Sequence, residues 1–175
     1  MGRLILSGFM CSGKTTCGRM LAREFLLNFM DTDKKIEEQE KKSISDIFSE
    51  KGEEYFRDLE TAFLKKLSHP DFNPNGVIAL GGGMIVREEN RQLLKKCGTV
   101  VYLKASPECL KERLKTRAEK RPLMKGENIS EKVDTLMAAR EEFYLDAADE
   151  IIEVDNLELY QIVNKLKAIY NRKCR

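Results

Sequence analysis

The sequence predicts an α/β protein built on a parallel sheet, and three observations carry that expectation. Short apolar runs recur along the chain, and charged, amphipathic stretches long enough for crossover helices separate them. The runs are continuous rather than alternating, as strands covered on both faces are. A length of 175 residues favours one domain, expected here over 1–175, with a core that needs no staples.

Leu4-Ile5-Leu6 reads as the first strand, ending at Ser7, and a helix-compatible run with Met20, Leu21 and Phe25 on one face follows a glycine-bearing loop. A weaker strand at Phe29-Met30 leads into Asp31-Thr32-Asp33. The next strands are expected at Val77-Ile78-Ala79-Leu80, Val100-Val101-Tyr102-Leu103 and Ile151-Ile152-Glu153-Val154. In the last helix Leu159, Ile162, Val163, Leu166, Ile169 and Tyr170 recur at three- and four-residue spacing, with Lys and Arg gathered toward its C-terminal end. Two stretches fit this alternation poorly. Residues 34–70 are too long for one crossover helix and Gly52 interrupts them; residues 113–128 are strongly basic and contain Pro122 and Gly126. In a compact α/β domain such excursions are more often functional lids than idle loops.

Composition narrows the classes. Hydrophobic residues at 42% and charged residues at 34% exclude a disordered or fibrous chain. The 31 Lys+Arg and 29 Asp+Glu nearly cancel to +2, which argues against a dedicated nucleic-acid binder. No apolar run approaches the ~20 residues of a membrane span. No signal-peptide pattern is legible, and Leu6 breaks the myristoylation pattern that Met1-Gly2 would open. The five cysteines (Cys11, Cys17, Cys97, Cys109, Cys174) have no CxxC spacing and, with the single His69, build no zinc site; they read as reduced thiols. The expectation is a soluble cytoplasmic protein with neither nucleic-acid nor membrane partner, monomeric by default.

Gly8-Phe9-Met10-Cys11-Ser12-Gly13-Lys14-Thr15 matches GxxxxGK[ST] between a strand and a helix, where its chemistry requires it. The glycines let backbone N–H groups converge on phosphate oxygens at a helix N-terminus. Lys14 would reach the β- and γ-phosphates of ATP, and the Thr15 hydroxyl would take a place on Mg²⁺. Gly8, Cys11, Ser12, Gly13, Lys14, Thr15 and Thr16 are the expected nucleotide contacts. Cys11 could be a reactive thiol beside Lys14, but with no general base nearby it reads better as a small residue filling the loop.

Three further groups stand out, two of them following strands at the expected carboxyl edge of the sheet and one in the helical excursion. Asp31 and Asp33, at alternate strand positions, would share one face, one able to act on Mg²⁺ and one on a substrate hydroxyl; the bland reading is a polar turn with a helix cap. Arg57 and Glu60 share a helix face, where a surface ion pair is the ordinary explanation. Gly81-Gly82-Gly83 lets a ligand approach the backbone closely, or is merely a flexible turn.

Taken in order, these residues resemble the shikimate kinases, small P-loop enzymes of the nucleoside-monophosphate-kinase fold. The resemblance rests on the phosphate loop, Asp31-Thr32-Asp33, Phe56-Arg57 with Glu60, Gly81-Gly82-Gly83, Arg121-Pro122-Leu123, and Arg140 with Tyr144 four residues on. It implies a three-layer P-loop kinase fold: a five-stranded parallel sheet flanked by helices, with a helical substrate-binding excursion at about 34–70 and a lid at about 113–128. It also implies ATP-dependent phosphorylation of the 3-hydroxyl of shikimate, on the way to chorismate and the aromatic amino acids, with Mg²⁺ as cofactor. Carried over, Asp33 would bind the shikimate hydroxyls and orient the reacting proton, and Asp31 would support Mg²⁺. Arg57 and Arg140 would hold the carboxylate, and Gly81, Gly82 and Gly83 would floor the pocket. Lys14 and Arg121 join Asp33 as catalytic groups, Arg121 as the lid arginine over the phosphates, while Arg117 would lie against the adenine. Elementary chemistry agrees, since a carboxylated polyol needs a guanidinium fork for its acid and a carboxylate for its hydroxyls. Cys11 departs from the family's common glycine, so its side chain must point away from the phosphates. Asp155 could open an adenine loop or cap a helix.

Three readings compete. A gluconate or adenylate kinase would use the same fold. A silent ATP-binding module would be expected to lose Lys14, Asp33 or Arg121, all of which are present. Nucleic-acid binding through the basic stretch is disfavoured by the interleaved Glu112 and Glu119 and the lack of a stacking platform.

Overall fold

Strands and helices alternate through the computed structural model, which describes residues 2–69, 76–118 and 129–174, with backbone alone at 117, 118 and 129. The strands are β1 (Leu4–Ser7), β2 (Asn28–Asp31), β3 (Gly76–Ala79), β4 (Thr99–Lys104) and β5 (Glu150–Glu153). They form one sheet in the order β2-β3-β1-β4-β5, parallel at every pairing. Central β1 pairs Leu4 with Val77 on one side and with Thr99 on the other. All residues of β1 and β3 are buried, as their unbroken apolar runs require.

The rule fails at one edge. Strand β5 buries only Ile152, and Ile151 is 49% exposed, because β5 pairs on one side only, with β4. Val154 lies just beyond the strand yet is fully buried.

The connecting helices are α1 (Lys14–Glu24), α2 (Thr32–Glu40), α3 (Ile44–Ser68), α4 (Glu88–Cys97), α5 (Pro107–Ala118), α6 (Ile129–Ala147) and α7 (Leu159–Lys173). They flank the sheet, giving the expected P-loop kinase architecture. The 34–70 excursion resolves into α2 and α3, and α3 is bent at Gly52, whose φ of 81° places it in the left-handed region. Ser43 caps α3 by accepting from Asp46 N at 3.1 Å. Ile36, Ile47 and Phe56 form a small apolar cluster of their own, so the excursion is held by packing rather than tethered loosely. Helix α7 starts with a capping box between Glu158 and Gln161, and Tyr170 packs on Phe25 at 5.3 Å. Its stripe is buried as predicted except at Leu159, 45% exposed in the first turn. No helix among the described residues is long and apolar enough to cross a membrane.

Candidate active site

The loop between β1 and α1 is shaped by backbone more than by side chains. Gly13, the N-cap of α1, has φ 104° and makes no side-chain cap, and Cys17 N, bonded to Gly13 O at 2.9 Å, opens the helical ladder. The N–H groups before it point out of the helix start, as an anion site needs. Cys11 sits at φ 65°, a conformation suited to glycine. The Ser12 hydroxyl is buried with no hydrogen-bond partner among the described residues. Lys14 folds over the loop, donating from Nζ to Gly8 O at 2.6 Å and Phe9 O at 2.8 Å. Burial pushes its ammonium down to about 8, against the pull of Asp33 and Asp31.

Asp31 and Asp33 do not alternate along one strand, as the sequence suggested. Asp31 ends β2 and caps α2, accepting from Lys34 N, so Asp33 already lies in the helix. Both still act on Lys14, because the strand-to-helix turn brings them to the same edge. Asp31 Oδ2 accepts from Thr15 Oγ1 at 2.8 Å. Thr32, between them, turns inward and accepts from Gly81 N at 2.8 Å, tying α2 to the chain leaving β3. Burial and the neighbouring Asp31 push Asp33 up to about 6, although Lys14 opposes them.

The Arg57–Glu60 pair is not a surface pair. Glu60 is fully buried and accepts from Arg57 Nη1 at 2.8 Å, while its Oε1 has no hydrogen-bond partner among the described residues. Burial pushes Glu60 up to about 7 even with Arg57 beside it. Arg57 also donates from Nε and Nη2 to Glu53 Oε1, at 3.2 and 2.6 Å. Burial works against its charge, but Glu60 and Glu53 outweigh it and raise the guanidinium's pKa. Three of its five N–H groups are thus engaged among the described residues, with two more to offer a ligand.

Two of the three glycines are needed for close approach, whereas a Cβ on Gly82 would meet nothing nearer than Met10 N at 3.5 Å. A Cβ on Gly81 would stand 2.2 Å from Asp33 Oδ1, and one on Gly83 would stand 2.3 Å from Arg57 Nη1. Gly82 O accepts from the buried Tyr144 hydroxyl at 2.5 Å, and the Tyr144 ring stacks on Tyr102 at 5.0 Å. One turn before Tyr144 on α6, Arg140 lines the same cleft as Asp33, Arg57, Glu60, Gly82 and Gly83. The cleft holds about 490 Å³, with Phe9, Met10, Phe48 and Phe56 as apolar walls.

Several residues that shape this site were not legible. Asn90 and Arg91 look like solvent-facing positions of a charged helix, yet both are buried. Asn90 Nδ2 donates to Met84 O at 2.9 Å and its Oδ1 accepts from Thr61 on α3; Arg91 donates to Ile85 O and Val86 O, each at 2.9 Å. Together they brace the turn after the glycines. Glu53 was indistinguishable from an ordinary surface charge, and Arg113 was read only as the start of the basic lid stretch. Asp155 does not cap α7, a position Glu158 holds; it accepts from Ser106 N at 2.8 Å ahead of α5. Residues 113–118 of the expected lid belong to α5. The Arg117 side chain and Arg121 lie outside the described residues.

Thr15 and Asp31 bring two hard oxygen donors together beside the open start of α1. That small set fits Mg²⁺, which keeps several waters and takes substrate phosphates as ligands.

A shikimate kinase family profile matches residues 10–170. A shikimate kinase from Dictyoglomus turgidum is 42% identical over 166 residues, covering 91% of this chain and 94% of that protein. One from Bacillus mycoides is 39% identical over 171 residues, covering 98% and 99%. Among solved structures, a shikimate kinase from Acinetobacter baumannii in complex with shikimate superposes with a TM-score of 0.86 at 35% identity, covering 100% of this chain and 96% of that one.

Proposed function

The chain belongs to the shikimate kinase family, and from that premise we propose how its residues carry out ATP-dependent phosphorylation of shikimate at the 3-hydroxyl. The observation that carries the reading is the shared cleft: a carboxylate, Asp33, and two guanidinium groups, Arg57 and Arg140, line one cavity. A carboxylated polyol asks for that pairing.

ATP lies with its phosphates against the loop formed by Gly8, Cys11, Ser12, Gly13, Lys14, Thr15 and Thr16. Lys14 exchanges its two loop carbonyls for phosphate oxygens, a move that its lowered pKa and burial favour, since an anion there stabilises the ammonium. Thr15 and Asp31 would hold Mg²⁺, which when bound offsets charge on the phosphate oxygens. Shikimate docks with its carboxylate between Arg57 and Arg140 and its ring over Gly81, Gly82 and Gly83. Asp33 accepts the hydrogen bond of the 3-hydroxyl and takes its proton as the oxygen attacks the γ-phosphorus in line, while the bond from that phosphorus to the β–γ bridging oxygen breaks and ADP leaves. Glu60 fixes the Arg57 fork from beneath. Arg121 closes over the transferring group and Arg117 over the adenine, excluding water and strengthening the pull on developing charge.

Residues 1–175 act as one domain, with a substrate-binding excursion at 34–70 and a lid at 113–128. The protein works in the cytoplasm as a monomer, with no nucleic-acid or membrane partner. The test is ADP release with MgATP and, in turn, shikimate, gluconate, AMP or no acceptor. Shikimate alone should stimulate turnover; stimulation by gluconate or AMP instead would overturn the acceptor assignment.

A further inference from the structure

Behind the glycine turn, one buried cation joins two segments that lie far apart in the chain. Arg91, on α4, is 9% exposed and bonds in two directions at once. Its Nη1 donates to Ile85 O and Val86 O, each at 2.9 Å, and its Nε donates to Asp146 Oδ2 at 2.7 Å. The guanidinium also lies over the Phe143 ring, 4.6 Å from its centre. Lys95, one turn further along α4, reaches the other oxygen of Asp146 at 3.6 Å. The two carbonyls belong to the turn after β3, whereas Phe143 and Asp146 belong to the end of α6. A planar guanidinium can serve both sides at fixed angles, which a single ammonium cannot.

The joined segments are the ones that carry the two guanidinium groups of the cleft. The Arg57 fork lies against Gly83, and Arg140 stands on α6. Both act on the buried Glu60 carboxyl, so they stand near one another. Like charges facing one cavity repel, and their spacing holds only if the two mounts are fixed to each other. Two ties do that. Tyr144 donates to Gly82 O at 2.5 Å, and Arg91 bonds the chain at 85 and 86. Gly83 falls between these ties, and its own carbonyl accepts from Val86 N at 3.0 Å.

We infer that Arg91 is a positioning residue for the substrate carboxylate, locking the glycine turn to α6 so that Arg57 and Arg140 keep the separation at which both hold one anion. The inference rests on the reading of that pair as the carboxylate site. Arg91 itself does not line the cleft, so its effect has to pass through the pair. The distinctive consequence is that the need for Arg91 depends on the presence of Arg140.

The test is steady-state kinetics on wild type, Arg91→Met, Arg140→Ala and the double variant, with each substrate varied in turn. Arg91→Met keeps the reach of the side chain and removes its donors. KM for shikimate should rise about tenfold, while kcat and KM for MgATP move less than about twofold. In the Arg140→Ala background the same change should raise KM for shikimate less than about twofold, because one side of the fork is already gone. A fall in kcat with KM for shikimate unchanged would show a structural role alone and overturn the inference. So would a full tenfold rise in both backgrounds, or no change at all. If Arg91→Met does not fold, Asp146→Ala cuts only the tie to α6, at a carboxylate 49% exposed. That variant should raise KM for shikimate about threefold with the same background dependence, and an unchanged KM would overturn the inference. A wild-type KM for shikimate in Arg140→Ala would instead overturn the carboxylate reading, and the inference with it.

Discussion

The Arg57 guanidinium lies so close to Gly83 that a Cβ there would stand 2.3 Å from Nη1 and 2.7 Å from Cζ. The contact lets a cation on α3 lie flat against the turn after β3, with Glu60 beneath it and the cleft in front. Gly83→Ala would push the fork aside. KM for shikimate should rise about tenfold or more, with KM for MgATP nearly unchanged; steady-state kinetics with each substrate varied would show it.

Arg57→Ala removes the fork and leaves Glu60 buried without its partner. Shikimate binding should weaken about a hundredfold while MgATP binding changes less than about threefold. Calorimetric titration with each ligand separates the two, and equal losses would contradict the assignment.

Asp33 and Glu60 titrate near 6 and 7, above their ordinary 3.8 and 4.5, chiefly because both are buried. Between those limits the folded protein binds more protons than the unfolded chain. The stability from their neutral forms is therefore fully present below about pH 4 and is lost as pH rises through 6 to 7. Activity runs the other way, since a proton acceptor must be ionised, and kcat/KM for shikimate should fall as pH drops through about 6. Asp33→Asn should raise stability by about 1–2 kcal/mol at pH 8, measured by denaturant unfolding, while kcat falls more than about a hundredfold. Near-normal turnover in this variant would remove Asp33 from the mechanism.

Tyr144→Phe keeps the ring on Tyr102 and deletes only the hydroxyl that serves Gly82 O. Leaving that carbonyl unpaired should cost about 1–2 kcal/mol of stability. The loosened glycine floor should also raise KM for shikimate a few-fold, a change visible in kinetics at a temperature well below the melting point.

What the sequence made legible were features with local rules. Unbroken apolar runs marked the buried strands, GxxxxGK[ST] marked the loop, and the Gly52 break marked the bend in α3. The edge strand β5 misled because its Ile151-Ile152 run is indistinguishable from a central strand until its single neighbour is known. Asp31 and Asp33 were paired correctly for the wrong reason: the turn into α2, not strand alternation, brings them together. Asn90 and Arg91 stayed hidden because they also pair with Thr61 and Asp146, 29 and 55 residues away, and sequence spacing carries no trace of such contacts; Glu53 stayed hidden because its pairing with Arg57 one helical turn on has the spacing of any surface ion pair.

The most direct measurement is the structure of the product made from MgATP and shikimate, read by phosphorus–proton coupling in NMR. The account predicts one organic phosphate per ADP, coupled to the proton on C3 of the ring. ADP released with only inorganic phosphate, or a phosphate coupled to another ring proton, would contradict it.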